Sequence, residues 1–353
     1  MSEKKKALFF VQSSVGGAER MTVLIGKSLD RDQFEVTFCL VNCGSTAIKK
    51  FIPEGYKTML IPKGNGFKLT FTMMQVIRHM KPDVVFSSVI YLNTKLLAVS
   101  WMFPRCRFIV RNNNYLYTLT KLQKLLVYLT YWIADYIIAQ TQEMADELIK
   151  QIALRRNKVI ILQNPIDTEF IQNKLTAENP YVSDNSIKYV AIGRFVPAKG
   201  FDILVQAFQQ VNARQTNCVL YIVGNNEGEC AEYFAKIKKM IDSSGLTEKI
   251  YCVGFKDNPY IYMKYADCFV LSSRNEGLPN VLIEALHLGT PAAATTCIPV
   301  INRIVHEGKN GYLAESENVD SLAKAMINAS QLGRVKSFYN SASIDQFTRL
   351  FTN

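Results

Sequence analysis

The sequence predicts two α/β domains, each a doubly wound parallel sheet with helices on both faces. Short apolar runs of strand length alternate with helix-length amphipathic stretches along the whole chain. That alternation pauses once, over a polar stretch with two prolines at 164–186, and then restarts. A chain of 353 residues is also too long for one ordinary core and suits two.

The first strand is "KALFFVQ" (6–12). The charged residues before it read as a solvated tip and not as a secretory leader, because the apolar stretch ends within a few residues. The glycines of "SSVGGAER" follow, then a helical pattern from near Ala18 through Leu29. "FEVTFCLV" (34–41), "KTMLIP" (57–62), "PDVVFSS" (82–88), "CRFIVRN" (106–112), "YIIAQT" (136–141) and "KVIILQN" (158–164) are six more strands. After the pause come "KYVAIGRF" (188–195), "CVLYIVG" (218–224), "KIYCVGF" (249–255), "CFVLSS" (268–273), "PAAATT" (291–296) and "GYLA" (311–314). The expected division is a first domain over 1–165, a second over 187–335, and a segment over 336–353 that packs back on the first. Ligands of such sheets sit at the carboxyl ends of the strands.

Hydrophobic residues make up 48% of the chain and charged residues 20%, which describes a folded protein. No run of eighteen apolar residues exists to span a membrane. The eight cysteines, at 39, 43, 106, 218, 230, 252, 268 and 297, are scattered, several inside strands, and read as buried thiols in a reducing compartment. Cys39 and Cys43 form a C-x3-C pair, but nothing completes a zinc site. The net charge of +11 is uneven. Residues 1–165 hold 23 Lys and Arg against 11 Asp and Glu, whereas the rest hold 18 against 19. An anionic partner is therefore expected for the first half: nucleic acid, a membrane surface or an acidic substrate.

Three motifs carry chemistry. In "VQSSVGGAER", Gly16 and Gly17 turn a strand into a helix. Such glycines let amides approach an anion, or form a plain turn. The pattern is not G-x-G-x-x-G, and no acidic residue ends "TFCLV", which argues against a nicotinamide dinucleotide. In "KYVAIGRFVPAKGFDILVQAF", a strand delivers Arg194, with Lys199 before the next helix. Two cations at the mouth of a strand suit a pyrophosphate, unless they are merely solvated. This is no P-loop, because Lys199 precedes its glycine. In "SRNEGLPNVLIEALHLGTP", Glu276 and Glu284 have seven residues between them. Pro279 suits the first helical position, leaving amides around Leu278, Asn280 and Val281 for an anion. Glu284, among Val281, Leu282, Ala285 and Leu286, is an acceptor for paired hydroxyls or an exposed helix carboxylate.

With "GGAER", "GRFVPAKGFDILVQAF", "VGFKDNP", "ADCFVLSSRNEGLPNVLIEAL", "GTPAAATT" and "HEGKNGYL" in this order, the chain resembles glycosyltransferase family 4, retaining enzymes of the GT-B fold. The resemblance covers nearly the whole chain and is strongest over about 188–315. It implies two Rossmann-like domains facing a cleft. It implies that Glu284 accepts from the ribose of a nucleotide-sugar donor and that Glu276 touches the donor sugar. Arg194, Lys199 and the amides of Gly277, Leu278, Pro279 and Asn280 would hold the pyrophosphate, proline offering only its place in the turn. The base would rest by Phe255 and Lys256, and the Gly16–Gly17 turn would complete the donor site. Arg194, Lys199 and Glu276 are the expected catalytic residues.

One departure concerns histidine. Many relatives place one after the fourth or fifth strand, but here only His79, His287 and His306 occur. Arg111 and Asn112 stand at the matching place, and some relatives carry such a pair. Asparagine orients an acceptor or sugar but is no general base. The family's retaining mechanism, with the departing phosphate taking the acceptor proton, needs none. No cofactor and no metal are expected. "LDRDQF", with Asp30 and Asp32, fits the D-x-D string but reads as a solvated turn.

The basic half also holds "TKLQKLLVYLTYWIADYIIAQ" (120–140), where Leu122, Leu125, Leu126, Leu129, Trp132, Ile133 and Tyr136 fall on one helical face, with Lys121 and Lys124 at its start. "LLAVSWMFPRCRF" (96–108) mixes Trp101, Met102 and Phe103 with Arg105 and Arg107. These are core helices, or a basic–aromatic contact with an anionic membrane. The expected activity is retaining transfer of a hexose or N-acetylhexosamine from a UDP-sugar to a glycan or lipid-linked glycan. The expected place is cytoplasmic, peripheral on the inner face of the membrane. The alternatives are another GT-B enzyme, an epimerase or disaccharide synthase, and a basic nucleic-acid-binding protein. No recognised nucleic-acid module is present, so no nucleic acid is expected as a partner.

Overall fold

The computed structural model describes residues 3–352 apart from 15, 43, 45, 63, 182–184 and 340–343, so Cys43 lies outside the described residues. The chain divides into two compact units, Met1–Pro165 with Ser341–Asn353, and Ile166–Asn340.

The first unit holds β1 (Lys5–Gln12), α1 (Gly17–Lys27), β2 (Phe34–Val41), β3 (Lys57–Ile61), α2 (Gly66–Met80), β4 (Val84–Ser87), α3 (Ile90–Ser100), β5 (Arg107–Asn112), α4 (Lys121–Thr130), β6 (Tyr136–Ala139), α5 (Gln142–Gln151) and β7 (Val159–Ile161). The seven strands run parallel in the order β3-β2-β1-β4-β5-β6-β7. All seven apolar runs of the first half are strands. In β1, Ala7 to Val11 are buried without alternation, because the sheet is covered on both faces. At the edge, β3 is mostly exposed and bonds Lys57 to Glu35, a charged rim that discourages pairing with another sheet.

The second unit holds α6 (Thr168–Lys174), β8 (Ile187–Ile192), α7 (Phe201–Arg214), β9 (Cys218–Val223), α8 (Ala231–Ser244), β10 (Ile250–Gly254), α9 (Tyr260–Tyr265), β11 (Cys268–Leu271), α10 (Asn280–His287), β12 (Ala292–Thr295), α11 (Ile301–Ile304), β13 (Gly311–Ala314) and α12 (Val319–Ser330). Its parallel order is β10-β9-β8-β11-β12-β13. The chain reverses direction across the sheet between β8 and β11, so the loops after these strands diverge and leave a crevice at their carboxyl ends. A last helix, α13 (Ile344–Thr352), belongs to the first unit. Its Phe347 and Phe351 are fully buried, and Phe351 stacks on Phe9 with centroids 5.5 Å apart.

Three local readings change. The pause at 164–186 contains α6, capped by the Asp167 side chain and anchored by buried Ile171, and this helix belongs to the second unit. The stretch 120–140 is not one helix. α4 ends at Thr130, a 3-10 turn carries Tyr131 to Ile133, and Tyr136 opens β6. Tyr131 breaks the pattern because its ring is fully buried, with its hydroxyl bonded to Asn93. Nor is that helix core: Leu122, Leu125, Leu126 and Leu129 are exposed, and only Val127 and Thr130 are buried. Finally, Arg107 donates to the carbonyls of Leu350 and Phe351, so it fastens α13 and is not a surface charge.

The seven described cysteines are free thiols, and burial pushes those of Cys39 and Cys106 up to about 12. In "LDRDQF", Asp30 to Gln33 form an exposed turn in which the Asp30 carboxylate accepts from the Asp32 amide and the Gln33 side chain.

Candidate active site

The second unit's switch point is built by glycines. A β-carbon on Gly224 would fall 1.6 Å from the Gly193 carbonyl oxygen, so only glycine lets the loops after β8 and β9 lie this close. Beyond Gly193, Phe195 is buried edge-on against Phe201 and Phe234, at 4.9 Å to each. That anchor leaves Arg194, one residue earlier, exposed, and its side chain has no hydrogen bond or ion pair among the described residues. A 3-10 turn, Pro197–Lys199, then ends at Gly200 with φ 62°. A β-carbon on Gly200 would lie 2.1 Å from the Ser272 carbonyl oxygen. The loop after β8 is thereby pressed onto the loop after β11.

That contact brings together residues 77 apart in sequence. Lys199 Nζ lies 2.6 Å from Glu276 Oε1, and Ser273 Oγ donates to the same oxygen at 2.7 Å. Both side chains of the pair are largely buried, 21% and 10% exposed. The chain then makes an inverse γ-turn: Pro279 has φ −78° and ψ 81°, and the Asn280 amide donates to the Leu278 carbonyl at 2.9 Å. Pro279 is therefore the N-cap of α10 and not its first residue, and the Asn280 amide is not available to a ligand as expected. The amides of Gly277 and Leu278 donate to no group among the described residues. Amides and cations placed in this way can donate to an anion.

Glu284 is half-buried on α10, with the Tyr260 hydroxyl 3.5 Å from Oε1. Phe255 and Lys256 follow β10 and are exposed. The remaining expected residues belong to the first unit. A β-carbon on Gly16 would fall 2.4 Å from Glu19 Oε2, so a carboxylate already stands at the start of α1, and an anion beside Gly16 and Gly17 would meet a like charge. Arg111 and Asn112 end β5 with 0% and 1% exposure. Arg111 donates to Asn113 and Asn164, and Asn112 to the Asn114 carbonyl. Neither side chain faces solvent.

Arg274 has a role that no motif of the sequence assigns to it. Its guanidinium grips Asp202 at 2.7 and 3.0 Å, reaches Glu317 at 2.6 Å, and donates to the Pro197 carbonyl. It braces the loop carrying Glu276 against the loop carrying Lys199. Burial alone would raise the Asp202 carboxyl, but hydrogen bonds from Arg274 and from the Tyr233 hydroxyl, with the Arg274 charge, lower it to about 2. A carboxyl lowered on folding stabilises the fold above its unfolded value near 4, and that contribution is lost as pH falls through the folded value. Acid titration from pH 4 to 2 should cost wild type roughly 1–2 kcal/mol more than Asp202→Asn, after discounting for solvent screening. Parallel losses in the two proteins would remove the brace from the account.

Residues 174–340 match the family described as glycosyl transferases group 1, and residues 15–170 match glycosyltransferase family 4. The chain belongs to these glycosyltransferases, on a GT-B fold. An uncharacterized glycosyltransferase of Methanocaldococcus jannaschii is 31% identical over 65% of this chain and 59% of its own, so the chain spans about six-tenths of that relative. The Campylobacter jejuni N-acetylgalactosamine-N,N'-diacetylbacillosaminyl-diphospho-undecaprenol 4-alpha-N-acetylgalactosaminyltransferase is 27% identical over 92% of this chain and 89% of its own. Anabaena HepE, solved with UDP and glucose, matches in fold with a TM-score of 0.78 at 17% identity, over 99% of this chain and 98% of that one.

Proposed function

We propose that this chain transfers a hexose or N-acetylhexosamine from a UDP-sugar to a hydroxyl of a glycan or lipid-linked glycan, with retention at the anomeric carbon. The observation that carries the reading is the convergence at one switch point of Lys199, Glu276, the exposed Arg194 and the unbonded Gly277 and Leu278 amides. Breaking the bond to a nucleoside diphosphate builds negative charge on the leaving group, and fixed cations and amides stabilise it without reorganising. Glu276 reads the sugar and Glu284 the ribose, with the base beside Phe255 and Lys256. The acceptor oxygen bonds to the anomeric carbon as the bond to phosphate breaks, and the departing phosphate takes the hydroxyl proton. The Campylobacter relative is named for a diphospho-undecaprenol acceptor, and HepE was solved with UDP-glucose, which supports both substrate classes.

The test is a panel of UDP-sugars with and without glycan acceptor. UDP should be released only with acceptor, and NMR of the product should show the donor's anomeric configuration. Interconversion of the donor sugar without acceptor would mark an epimerase, and inversion would remove the retaining mechanism. Turnover should persist in excess EDTA, because the charge is assigned to Arg194, Lys199 and amides.

The acceptor is met at an anionic membrane. Leu122, Leu125, Leu126 and Leu129 form one stripe of α4, continued by Trp132, with Trp101 and Met102 at the end of the neighbouring α3. Leu122 is 65%, Trp132 62% and Trp101 72% exposed, an apolar face fringed by Lys121, Lys124 and Arg105. The protein should sediment with vesicles containing phosphatidylserine, and salt should weaken this. Serine at Leu122, Leu125 and Trp132 should release it while turnover on a short soluble acceptor is kept. Binding unchanged in that variant would sink the membrane assignment.

A further inference from the structure

We infer that Ser273 is a positioning residue that fixes which oxygen of Glu276 meets the donor sugar. The inference rests on the donor site proposed above. Ser273 ends the approach from β11 and is 1% exposed. Its hydroxyl donates to Glu276 Oε1 at 2.7 Å, the oxygen that also takes Lys199 at 2.6 Å. Two donors at these distances fill the good acceptor positions of one carboxylate oxygen. Glu276 Oε2 accepts from no group among the described residues, and the side chain is 10% exposed. The carboxylate therefore has one oxygen tied to the protein and one left for a hydroxyl.

Ser273 is held in turn. Thr295, fully buried at the end of β12, lies with Oγ1 2.6 Å from the Ser273 carbonyl oxygen and 3.2 Å from that of Leu271. The preceding Ser272 donates its hydroxyl to the Lys199 carbonyl at 2.8 Å. Adjacent serines thus serve both partners of the ion pair, one through the lysine's backbone and one through the glutamate's carboxylate. Ser273→Ala leaves Lys199 on Oε1 but frees the carboxylate to turn about its last bond, so Oε2 is no longer aimed.

The test separates a sugar-positioning role from a merely structural one by comparing UDP with UDP-sugar. UDP lacks the group that Glu276 touches. In Ser273→Ala, affinity for UDP should stay within about twofold, while kcat/KM and affinity for the UDP-sugar fall about tenfold or more, the scale of one hydrogen bond to a charged group. Ser273→Thr, which restores the hydroxyl, should recover most of the loss. Thr295→Val, of nearly the same shape, should lose sugar discrimination in the same direction but less. Equal weakening of UDP and UDP-sugar would show that the loop had simply loosened, and an unchanged ratio would leave Ser273 without this role. Either result overturns the inference while wild-type binding of nucleotide sugar stands. If wild type binds no nucleotide sugar, the donor site itself is wrong, and the inference falls with it.

Discussion

Turnover of Arg194→Ala should fall by about two to three orders of magnitude, with Tm within about 1–2 °C of wild type. The two halves of that result have separate causes. Arg194 is exposed and its side chain makes no hydrogen bond or ion pair among the described residues, so its removal leaves no buried partner unsatisfied. In the proposed reaction its charge acts when the diphosphate departs. Lys199→Ala gives the instructive contrast. It should lose a similar factor in kcat but also destabilise, because Glu276, 10% exposed, is left without its cation. Chemistry and folding are thus separable at Arg194 and entangled at Lys199. An Arg194→Ala enzyme within about threefold of wild type would mean that the leaving group is stabilised elsewhere.

The strands were legible because buried parallel strands are continuous apolar runs, and every run read as a strand is one. What one run cannot show is its neighbour. "GRFVPAKG" and "SSRNEG" each looked like a charged loop. Only the packing of Gly200 on the Ser272 carbonyl shows that Lys199 and Glu276 share a bond. Arg274 was hidden for the same reason, since its partners Asp202 and Glu317 lie in the first turn of α7 and in the loop before α12. The Pro279 shift has a local cause: proline fits the first helical turn and the centre of an inverse γ-turn equally well in φ, and ψ alone separates them. In α4, the apolar stripe was visible in the sequence, but its direction was not. Helical spacing gives a face, and what covers that face depends on α3 and on the fully buried Tyr131.

Phe351→Ala should destabilise the first unit by about 3–5 kcal/mol, the range for a large aromatic removed from a packed core. The residue comes from the last helix of the chain, yet its ring stacks on Phe9 of β1 and meets Phe86 of β4 at 5.6 Å, in the middle of the seven-stranded sheet. Phe347 is buried beside it, Arg107 holds the carbonyls of Leu350 and Phe351, and Lys5 holds that of Thr352. β1 thus packs against the far end of the sequence, and its apolar run alone does not complete the core. Hydrogen exchange gives the readout. If the whole unit must open for β1 amides to exchange, their protection should fall by about two to four orders of magnitude, the same free energy expressed as an opening constant. Phe338→Ala is the control: that ring is half-exposed, and its loss should leave exchange in β1 unchanged. Removal of residues 344–353 should go further, since both aromatic rings and their backbone clamps leave together and the sum approaches the whole margin of a domain. Unaltered β1 protection in Phe351→Ala would mean that the helix rests on a core already complete without it.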